Sequence, residues 1–439
     1  MPPLAYLHSF GCQQNVSDGE KIKGMLSLMG YNFTDVIENA DLIIYNTCAV
    51  RENAEAKVFG LVGELKHLKE KNSDLVIALC GCMTQQEHIA QKVKKTYKQV
   101  DIVFGTFAMY SFPKMLYEVL TEKNRVYDIS ETDTLIHEDT AVVRDGEFKA
   151  SVPIIYGCNN FCTYCVVPYV RGRERSRNAS DILSEVKTLV NNGYKEIMLL
   201  GQNVNSYGKD LKNSINFSGL LREINKIDGD FKIRFMSSHP KDATFELIDT
   251  IIDCEKVCKH LHLPVQSGSN QILKAMNRNY TRERYLEIVN YARQKQKDFA
   301  FSSDIIVGFP NETYQDFLQT KSLVEQVKFD NIYTFIYSKR IGTKAAEMVD
   351  NTADSDKTLW MRELLSTQRE LASAYNRRFI GKTVTVLAEN EREQKDGFLT
   401  GRTDEFIIAE FKAPISKIGK FVKVKITDAH NWSLVGEII

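Results

Sequence analysis

The chain has 439 residues, 57 basic and 57 acidic side chains, 9 cysteines and 9 prolines, with 43% hydrophobic and 26% charged residues. This composition excludes a disordered or fibrous chain, and the length predicts about three domains at roughly 150 residues each, large enough to fold without disulfide staples. No apolar run approaches the ~18–20 residues that span a bilayer. Met1-Pro-Pro-Leu-Ala-Tyr-Leu-His8 has no basic region followed by an apolar core, so no signal peptide is expected. A cytoplasmic, reducing setting is the resulting expectation, in which nine thiols do not form a disulfide framework. A net charge of zero also argues against nucleic acid, until it is divided. Residues 1–150 hold 16 basic and 21 acidic side chains, residues 151–375 hold 30 and 27, and residues 376–439 hold 11 and 9. An acidic first third and a mildly basic remainder predict modules with different partners.

In chain order, the first third alternates β-branched runs with Lys/Glu-rich stretches. Strands are predicted at Leu4–Phe10, Asp41–Asn46, Leu75–Cys80 and Asp101–Phe104, with helical segments such as Glu52–Lys71 and Gln85–Lys98 between them. This rhythm predicts a parallel sheet covered by helices. The middle region repeats it, with strands near Val152–Tyr156, Glu196–Gly201, Lys232–Met236, His260–Val265, Ser303–Val307 and Ile332–Tyr337. Thr313-Tyr-Gln-Asp316 is a capping-box pattern that opens a helix between the last two. Six such units form either an open sheet or a partly closed barrel, and periodicity does not choose. Thr358–Arg378 reads as an amphipathic helix with Leu364, Leu365 and Leu371 on a face, stopped by Gly381. The period then becomes two: Val384 and Val386 alternate with Thr383 and Thr385, and Val422, Val424 and Ile426 with Lys423 and Lys425. Turn signals at Asp396-Gly397 and Thr400-Gly401 complete the pattern of a small all-β barrel or sandwich.

Cys158-Asn-Asn-Phe-Cys162-Thr-Tyr-Cys165 carries the strongest chemical signal. A structural zinc site takes four Cys or His ligands, and the next cysteine is as distant as Cys254. Three thiolates with one open position suit a cubane iron–sulfur cluster with one exchangeable iron. The triplet follows a predicted strand, where α/β folds keep their chemistry. The spacing resembles that of the radical S-adenosylmethionine (SAM) superfamily. The resemblance implies that the fourth iron chelates the amino and carboxylate groups of SAM, whose reductive cleavage yields a 5′-deoxyadenosyl radical. It also implies SAM contacts at Gln202 and Asn203, after the second strand of the series, and at Gly308 within Asp304-Ile-Ile-Val-Gly308-Phe-Pro-Asn-Glu312. That last stretch departs from the superfamily pattern, with Asp304 in a glycine slot and Glu312 one position late.

Three further cysteines, Cys12, Cys48 and Cys82, each follow a predicted strand of the acidic first third. The C-terminal ends of parallel strands lie at one edge, so these thiols are brought together there. Gln13, Asn15, Asn46, Thr47 and Gln85 supply polar groups toward a cluster's sulfurs, a lever on its potential. Cys80, Cys254 and Cys258 are assigned packing or structural roles, as buried free cysteines often are. The stretches Gly11-Cys-Gln-Gln-Asn15, Asn46-Thr-Cys-Ala-Val-Arg51 and Gly81-Cys-Met-Thr-Gln85 resemble the methylthiotransferase family of radical SAM enzymes. So do Cys162-Thr-Tyr-Cys-Val-Val-Pro-Tyr169, Arg171-Gly-Arg-Glu-Arg-Ser-Arg177, Leu261-His-Leu-Pro-Val-Gln-Ser-Gly268 and Met276-Asn-Arg-Asn-Tyr-Thr-Arg282. Gln14 and Thr84 depart from that family's usual Met and Ala.

The resemblance covers essentially the whole chain and implies an α/β fold in three parts. These are an N-terminal parallel α/β methylthiotransferase domain (1–140), a central partial (β/α)6 barrel of the radical SAM type (145–374) and a small all-β TRAM barrel that binds RNA (375–439). It implies two 4Fe-4S clusters, an auxiliary one on Cys12, Cys48 and Cys82 and a SAM-binding one on Cys158, Cys162 and Cys165, with no catalytic residue beyond these ligands. The implied reaction places a methylthio group on C2 of N6-isopentenyladenosine at position 37 of tRNA and consumes two SAM. The anticodon loop, an unidentified electron donor and an unidentified sulfur source are the implied partners, with no membrane. The same chemistry on threonylcarbamoyladenosine or on a ribosomal-protein aspartate stays open, as does a zinc-stabilised RNA-binding protein without catalysis.

RNA contact is expected from two clusters. Arg171, Arg173, Arg175 and Arg177 alternate with other residues and, if extended, project four guanidiniums to one side; internal pairing with carboxylates is the alternative. Lys423 and Lys425 share a strand face near Arg402, Lys417 and Lys420. Solvated lysines ordinarily make a soluble surface, and it is the resemblance to TRAM domains that points these toward RNA. Among eight histidines, His260 and His262 alternate on one strand, and one is expected to face the barrel interior.

Overall fold

A computed structural model describes residues 1–49, 52–130, 135–138, 140–212, 215–391 and 397–439. Val50 and Arg51 of the second cysteine stretch and Asp396 of the expected turn lie outside the described residues. The chain divides into two compact units, one of Met1–Gly146, Tyr156–Asn159 and Val166–Arg177, the other of Glu147–Ile155, Asn160–Cys165 and Asn178–Ile439.

The first unit is built on strands β1 (Leu4–Ser9), β2 (Asn32–Phe33), β3 (Leu42–Thr47), β4 (Val76–Gly81), β5 (Ile102–Phe104) and β6 (Val126–Asp128). They form one parallel sheet in the order β2-β1-β3-β4-β5-β6. The two-residue β2 and three-residue β6 escape sequence reading because they are too short to show a period. Both sheet faces are covered, so alternate residues of one strand enter different cores. Leu42 and Ile44 pack with Ile22, Leu26, Leu116 and Val119 of helices α1 (Gln13–Leu28) and α4 (Phe112–Glu122). Ile43 and Tyr45 pack with Val58, Val62, Ile89 and Val93 of α2 (Glu52–Lys71) and α3 (Glu87–Thr96). The chain reverses its direction of travel across the sheet between β1 and β3, and such switch points are where doubly wound folds bind ligands. Helix α5 (Val167–Arg171) also belongs to this unit.

The second unit opens with β7 (Lys149–Pro153); Pro153 ends it, so the strand expected through Tyr156 is divided and residues 155–156 form the separate β8 (Ile155–Tyr156). Tyr156 of β8 and the short β9 (Arg175–Ser176) fall in the first unit; in the second, after helix α6 (Ala179–Asn191), strands and helices alternate. They are β10 (Glu196–Leu200), α7 (Phe217–Asn225), β11 (Lys232–Phe235), α8 (Phe245–Asp253), β12 (His260–His262), α9 (Asn270–Ala275), α10 (Arg282–Lys295), β13 (Ala300–Val307), α11 (Tyr314–Val327) and β14 (Asn331–Ile336). Two parallel sheets, β11-β10-β7 and β12-β13-β14, are bridged where Ile233 N–H donates to Lys256 and Cys258 N–H donates to Ile233. Six parallel strands thus curve into a partial (β/α)6 barrel, whose Val152, Leu199, Ile233, Leu261, Phe301 and Ile305 share one core with helix residues such as Val186, Leu220, Ile248 and Leu323. Strand β12 stops before Pro264, which has no N–H for the ladder. The expected capping box is present: Thr313 Oγ1 accepts from Asp316 N–H, and Asp316 accepts from Thr313 N–H.

Helix α12 (Asp354–Asn376) starts and ends slightly before its expected range. Its inward residues are Trp360, Leu364, Gln368, Ala372 and Asn376, while Leu365 is 38% exposed. Consecutive residues stand about 100° apart on a helix, so Leu364 and Leu365 cannot share a face. The chain then forms β15 (Thr383–Glu391), β16 (Phe398–Arg402), β17 (Ile408–Lys412), β18 (Phe421–Ala429) and β19 (Ser433–Ile438), a closed barrel in the order β15-β16-β17-β19-β18. Its hairpin at residues 403–407 reaches the partial barrel. Phe406, at φ +70°, stacks on His260 with ring centroids 5.2 Å apart, and Arg234 donates to the Thr403 carbonyl at 2.8 Å while pairing with Glu196 at 2.6 Å.

Candidate functional site

The turns after β1, β3 and β4 carry Cys12, Cys48 and Cys82, all on one sheet edge. Close approach of these turns demands glycine. Gly11 has φ +103°, and a Cβ there would lie 2.3 Å from Cys48 Cβ; Gly81 has φ +101°, and its Cβ would meet the Thr47 carbonyl at 2.4 Å. Asn15, fully buried, joins the turns. Its Nδ2 donates to the carbonyls of Phe10 at 3.0 Å and Thr47 at 2.8 Å. That fixes Oδ1 toward the thiols, where it accepts from Cys12 at 3.8 Å and Cys82 at 3.7 Å.

Cys12 is the N-cap residue of α1, so it stands at the positive end of a sixteen-residue helix. The hydrogen bond with Cys48 pulls its thiol down to about 6, helped by the Arg171 guanidinium and the N–H groups of Asn15 and Gln14 against burial. Burial pushes Cys82 up to about 11, opposed by Arg171. Of the polar neighbours expected at the sulfurs, Asn15 stands beside them but turns its acceptor oxygen to the thiols. Asn46 donates instead to the Asn15 carbonyl at 2.6 Å, Thr47 to Cys80 at 2.6 Å and Gln85 to Ile129 at 2.9 Å.

Arg171 overturns the expectation of an extended arginine row. It ends helix α5 and is only 6% exposed. Its Nε donates to Cys82 Sγ at 3.0 Å, Nη2 to Asn15 Oδ1 at 2.9 Å, and Nη1 pairs with Asp18 at 2.6 Å. Arg177 is likewise buried and paired with Glu138 at 2.6 Å. Arg175 is half-buried with its guanidinium over Phe107, and Arg173 is exposed. The helical turn at Arg171 breaks the alternation, so four guanidiniums do not line one side, and Arg171 and Arg177 are buried in ion pairs, the alternative to RNA contact.

Of the central triplet, Cys158 falls in the first unit and Cys162 and Cys165 in the second. Cys158 N–H donates to the Gly172 carbonyl at 3.0 Å. In the second unit the turn after α9 grips the loop. Asn277 Nδ2 donates to the carbonyls of Asn160 at 3.1 Å and Phe161 at 3.0 Å, and Thr163 N–H donates to Met276 at 3.1 Å. Arg278, buried, donates to Cys162 Sγ at 3.4 Å and to the Pro264 carbonyl at 2.6 Å.

Gln202, Asn203 and Gly308 follow β10 and β13 at the C-terminal edge of the partial barrel. Asn203 Nδ2 is committed to Asp242 at 2.8 Å, tying the turns after β10 and β11. Gly308 has φ +73°, and the buried Glu312 carboxylate accepts its N–H at 2.5 Å and that of Phe309 at 3.2 Å. The late glutamate thus closes the turn. His260 and His262, two residues apart, both meet Ser302 Oγ at 2.8 Å. Cys80 packs in the core under α1 and α4, Cys254 in the core of the partial barrel, and Cys258 meets Asp404 at 3.7 Å. Lys423 and Lys425 are exposed on one face of β18, beside buried Val422 and Val424. Sequence reading missed Asp18 and Arg278: Asp18 lies inside a polar helix segment with no periodic mark, whereas Arg278 sits in a stretch noted only for resemblance.

Three families match in series: "Uncharacterized protein family UPF0004" over residues 5–105, "Radical SAM superfamily" over 152–324 and "TRAM domain" over 377–439. A tRNA-2-methylthio-N(6)-dimethylallyladenosine synthase from Acetivibrio thermocellus is 52% identical over 436 residues, 99% of this chain and 91% of that protein. The synthase of the same name from Thermoanaerobacter pseudethanolicus is 50% identical over 434 residues, 99% and 92% of the two chains. Among solved structures, the radical S-adenosylmethionine methyltransferase TsrM from Kitasatospora setae aligns with a TM-score of 0.59 at 13% identity, covering 79% of this chain and 77% of that one, a likeness of fold. The chain therefore belongs to the tRNA-2-methylthio-N(6)-dimethylallyladenosine synthase family, within the radical SAM superfamily.

Proposed function

We propose that this chain transfers a methylthio group to C2 of N6-isopentenyladenosine at position 37 of tRNA in the cytoplasm, using two 4Fe-4S clusters and SAM. One observation carries the reading: three cysteines far apart in sequence gather at one sheet edge, in a chain that matches synthases of this name from end to end. Their surroundings fit a thiolate-held cluster, because Cys12 stands at a helix N-terminus and the Arg171 guanidinium donates to Cys82. Cys162 fits a second cluster in the same way, with Arg278 on its sulfur.

When bound, the clusters and SAM supply the radical and sulfur chemistry that ordinary side chains lack. The chain's own residues position and shield. Asn277 and Thr163 hold the Cys162–Cys165 loop against the turn after α9, which presets its shape. Glu312 clamps the Gly308 turn, and Asn203 with Asp242 fixes the turns where Gln202 stands. Lys423 and Lys425 offer point charges to phosphate, and unpaired bases are what proteins read in RNA. An external electron donor and a sulfur source complete the reaction.

Mass spectrometry of nucleosides from cells lacking this protein tests the reading. The expected result is loss of 2-methylthio-isopentenyladenosine with accumulation of isopentenyladenosine. Normal methylthio levels on that base, with loss instead on threonylcarbamoyladenosine or a ribosomal-protein aspartate, would move the assignment to a sibling substrate.

A further inference from the structure

Arginine on a cysteine sulfur is an unusual use of a buried cation. Arg171 has five N–H donors, and the carboxylate of Asp18 and the amide of Asn15 offer stronger acceptors than sulfur. Yet Nε is directed at Cys82 Sγ, 3.0 Å away, while the other two nitrogens hold Asn15 and Asp18. The fork is planar and fixed by three partners, so the donor cannot swing away from the sulfur. Asp18 is fixed too, accepting from Gln14 at 3.1 Å. The positive charge is therefore held in contact with one ligand and its counter-charge one bond network further out. Arg278 repeats the motif at Cys162, 3.4 Å from its sulfur.

We propose that Arg171 and Asp18 form an opposed charge pair that sets the reduction potential of the auxiliary cluster through Cys82, with Arg171 raising it and Asp18 lowering it. The inference rests on the two-cluster reading above. The physical cause is that one-electron reduction adds negative charge to the cluster. A donated N–H and a nearby guanidinium stabilise the reduced form, and a nearby carboxylate opposes it. Arg171 is thus a positioning residue of the cluster and has no place at the RNA.

The test uses the full-length C158A/C162A/C165A protein, in which Cys12, Cys48 and Cys82 are the remaining cluster set, reconstituted anaerobically. Iron and sulfide are quantified first, and the midpoint potential is then titrated by electron paramagnetic resonance. Arg171→Gln is expected to lower the reduced-to-oxidised ratio at a fixed potential about tenfold, ~59 mV for one electron. Arg171→Lys, which keeps the charge without the fork, is expected to lower it less. Asp18→Asn is expected to shift the potential the opposite way. If Arg171→Gln fails to retain iron, the sign of the Asp18→Asn shift decides. Retained clusters with an unmoved potential, or Arg171→Gln and Asp18→Asn shifting the same way, overturn this proposal alone. A parent protein holding no 4Fe-4S cluster overturns the two-cluster reading, and this proposal with it.

Discussion

The side-chain amide of Asn15 donates to the backbone carbonyl of Thr47 at 2.8 Å, spanning 32 residues of sequence. Through its second bond, to Phe10, the same nitrogen ties the ends of β1 and β3 across the switch point of the sheet. The strands bring the cysteine turns to one edge, and this amide sets their spacing.

Asn15→Ala leaves two carbonyls without their donor, each costing about 1–3 kcal/mol where buried. A stability loss of roughly 2 kcal/mol or more is expected by urea denaturation, together with loss of iron from the auxiliary set. Full iron content in a folded Asn15→Ala protein would remove the amide from the site.

The proposed function gives the two cysteine sets separable duties. Cys158→Ala is expected to abolish reductive SAM cleavage, measured as 5′-deoxyadenosine. Cys12→Ala is expected to retain some cleavage and form no methylthio product, measured on an isopentenylated anticodon stem-loop. Full product from Cys12→Ala would refute the division.

The cations divide likewise. Lys423→Ala with Lys425→Ala is expected to weaken tRNA binding and to lower the salt slope by about 2, one unit for each lost phosphate contact. Arg177→Ala leaves the partly exposed Glu138 carboxylate without its partner and is expected to cost about 1–3 kcal/mol of stability. Its salt slope for tRNA, read by filter binding across a salt series, is expected to stay at the parent value. A slope reduced by Arg177→Ala would return that residue to the RNA surface.

Stability is expected to depend on pH through Glu312. Burial lifts its carboxyl to about 7, against the N–H groups of Gly308 and Phe309. The unfolded chain releases the proton near ~4.3. Between these values the folded state keeps a proton that the unfolded state has lost, so this group's contribution falls as pH rises through the window. Glu312→Gln removes that slope. Its urea midpoint relative to the parent is expected to gain between about pH 5 and about pH 8; an unchanged difference would mean that Glu312 ionises normally.

Much of this was legible in the residues because repeating strands declare themselves. The strands before Cys12, Cys48 and Cys82 are short apolar runs, two of them ended by Gly11 and Gly81, and parallel topology then dictates a common edge. Periodicity left the barrel's closure open, because it depends on bridging contacts such as Ile233 with Lys256 and Cys258. Arg171 misled because alternation of residue type implies a face only in an extended chain. Pro168 instead sits in the first turn of helix α5, where a missing N–H is tolerated, and the helix turns Arg171 inward. Asp18 was invisible because its significance lies in a partner 153 positions away, at Arg171.

The switch-point geometry also constrains the order of assembly. Cys158, Cys162 and Cys165 lie within eight consecutive residues, so a nascent chain presents them almost at once. Cys12, Cys48 and Cys82 become neighbours only after β1, β3 and β4 have paired and Asn15 has bridged them. Closing loops of that length carries an entropic cost that sheet formation must offset first. On the proposed two-cluster reading, iron delivery to this set is a readout of completed folding, and a chain arrested before β4 cannot fill it.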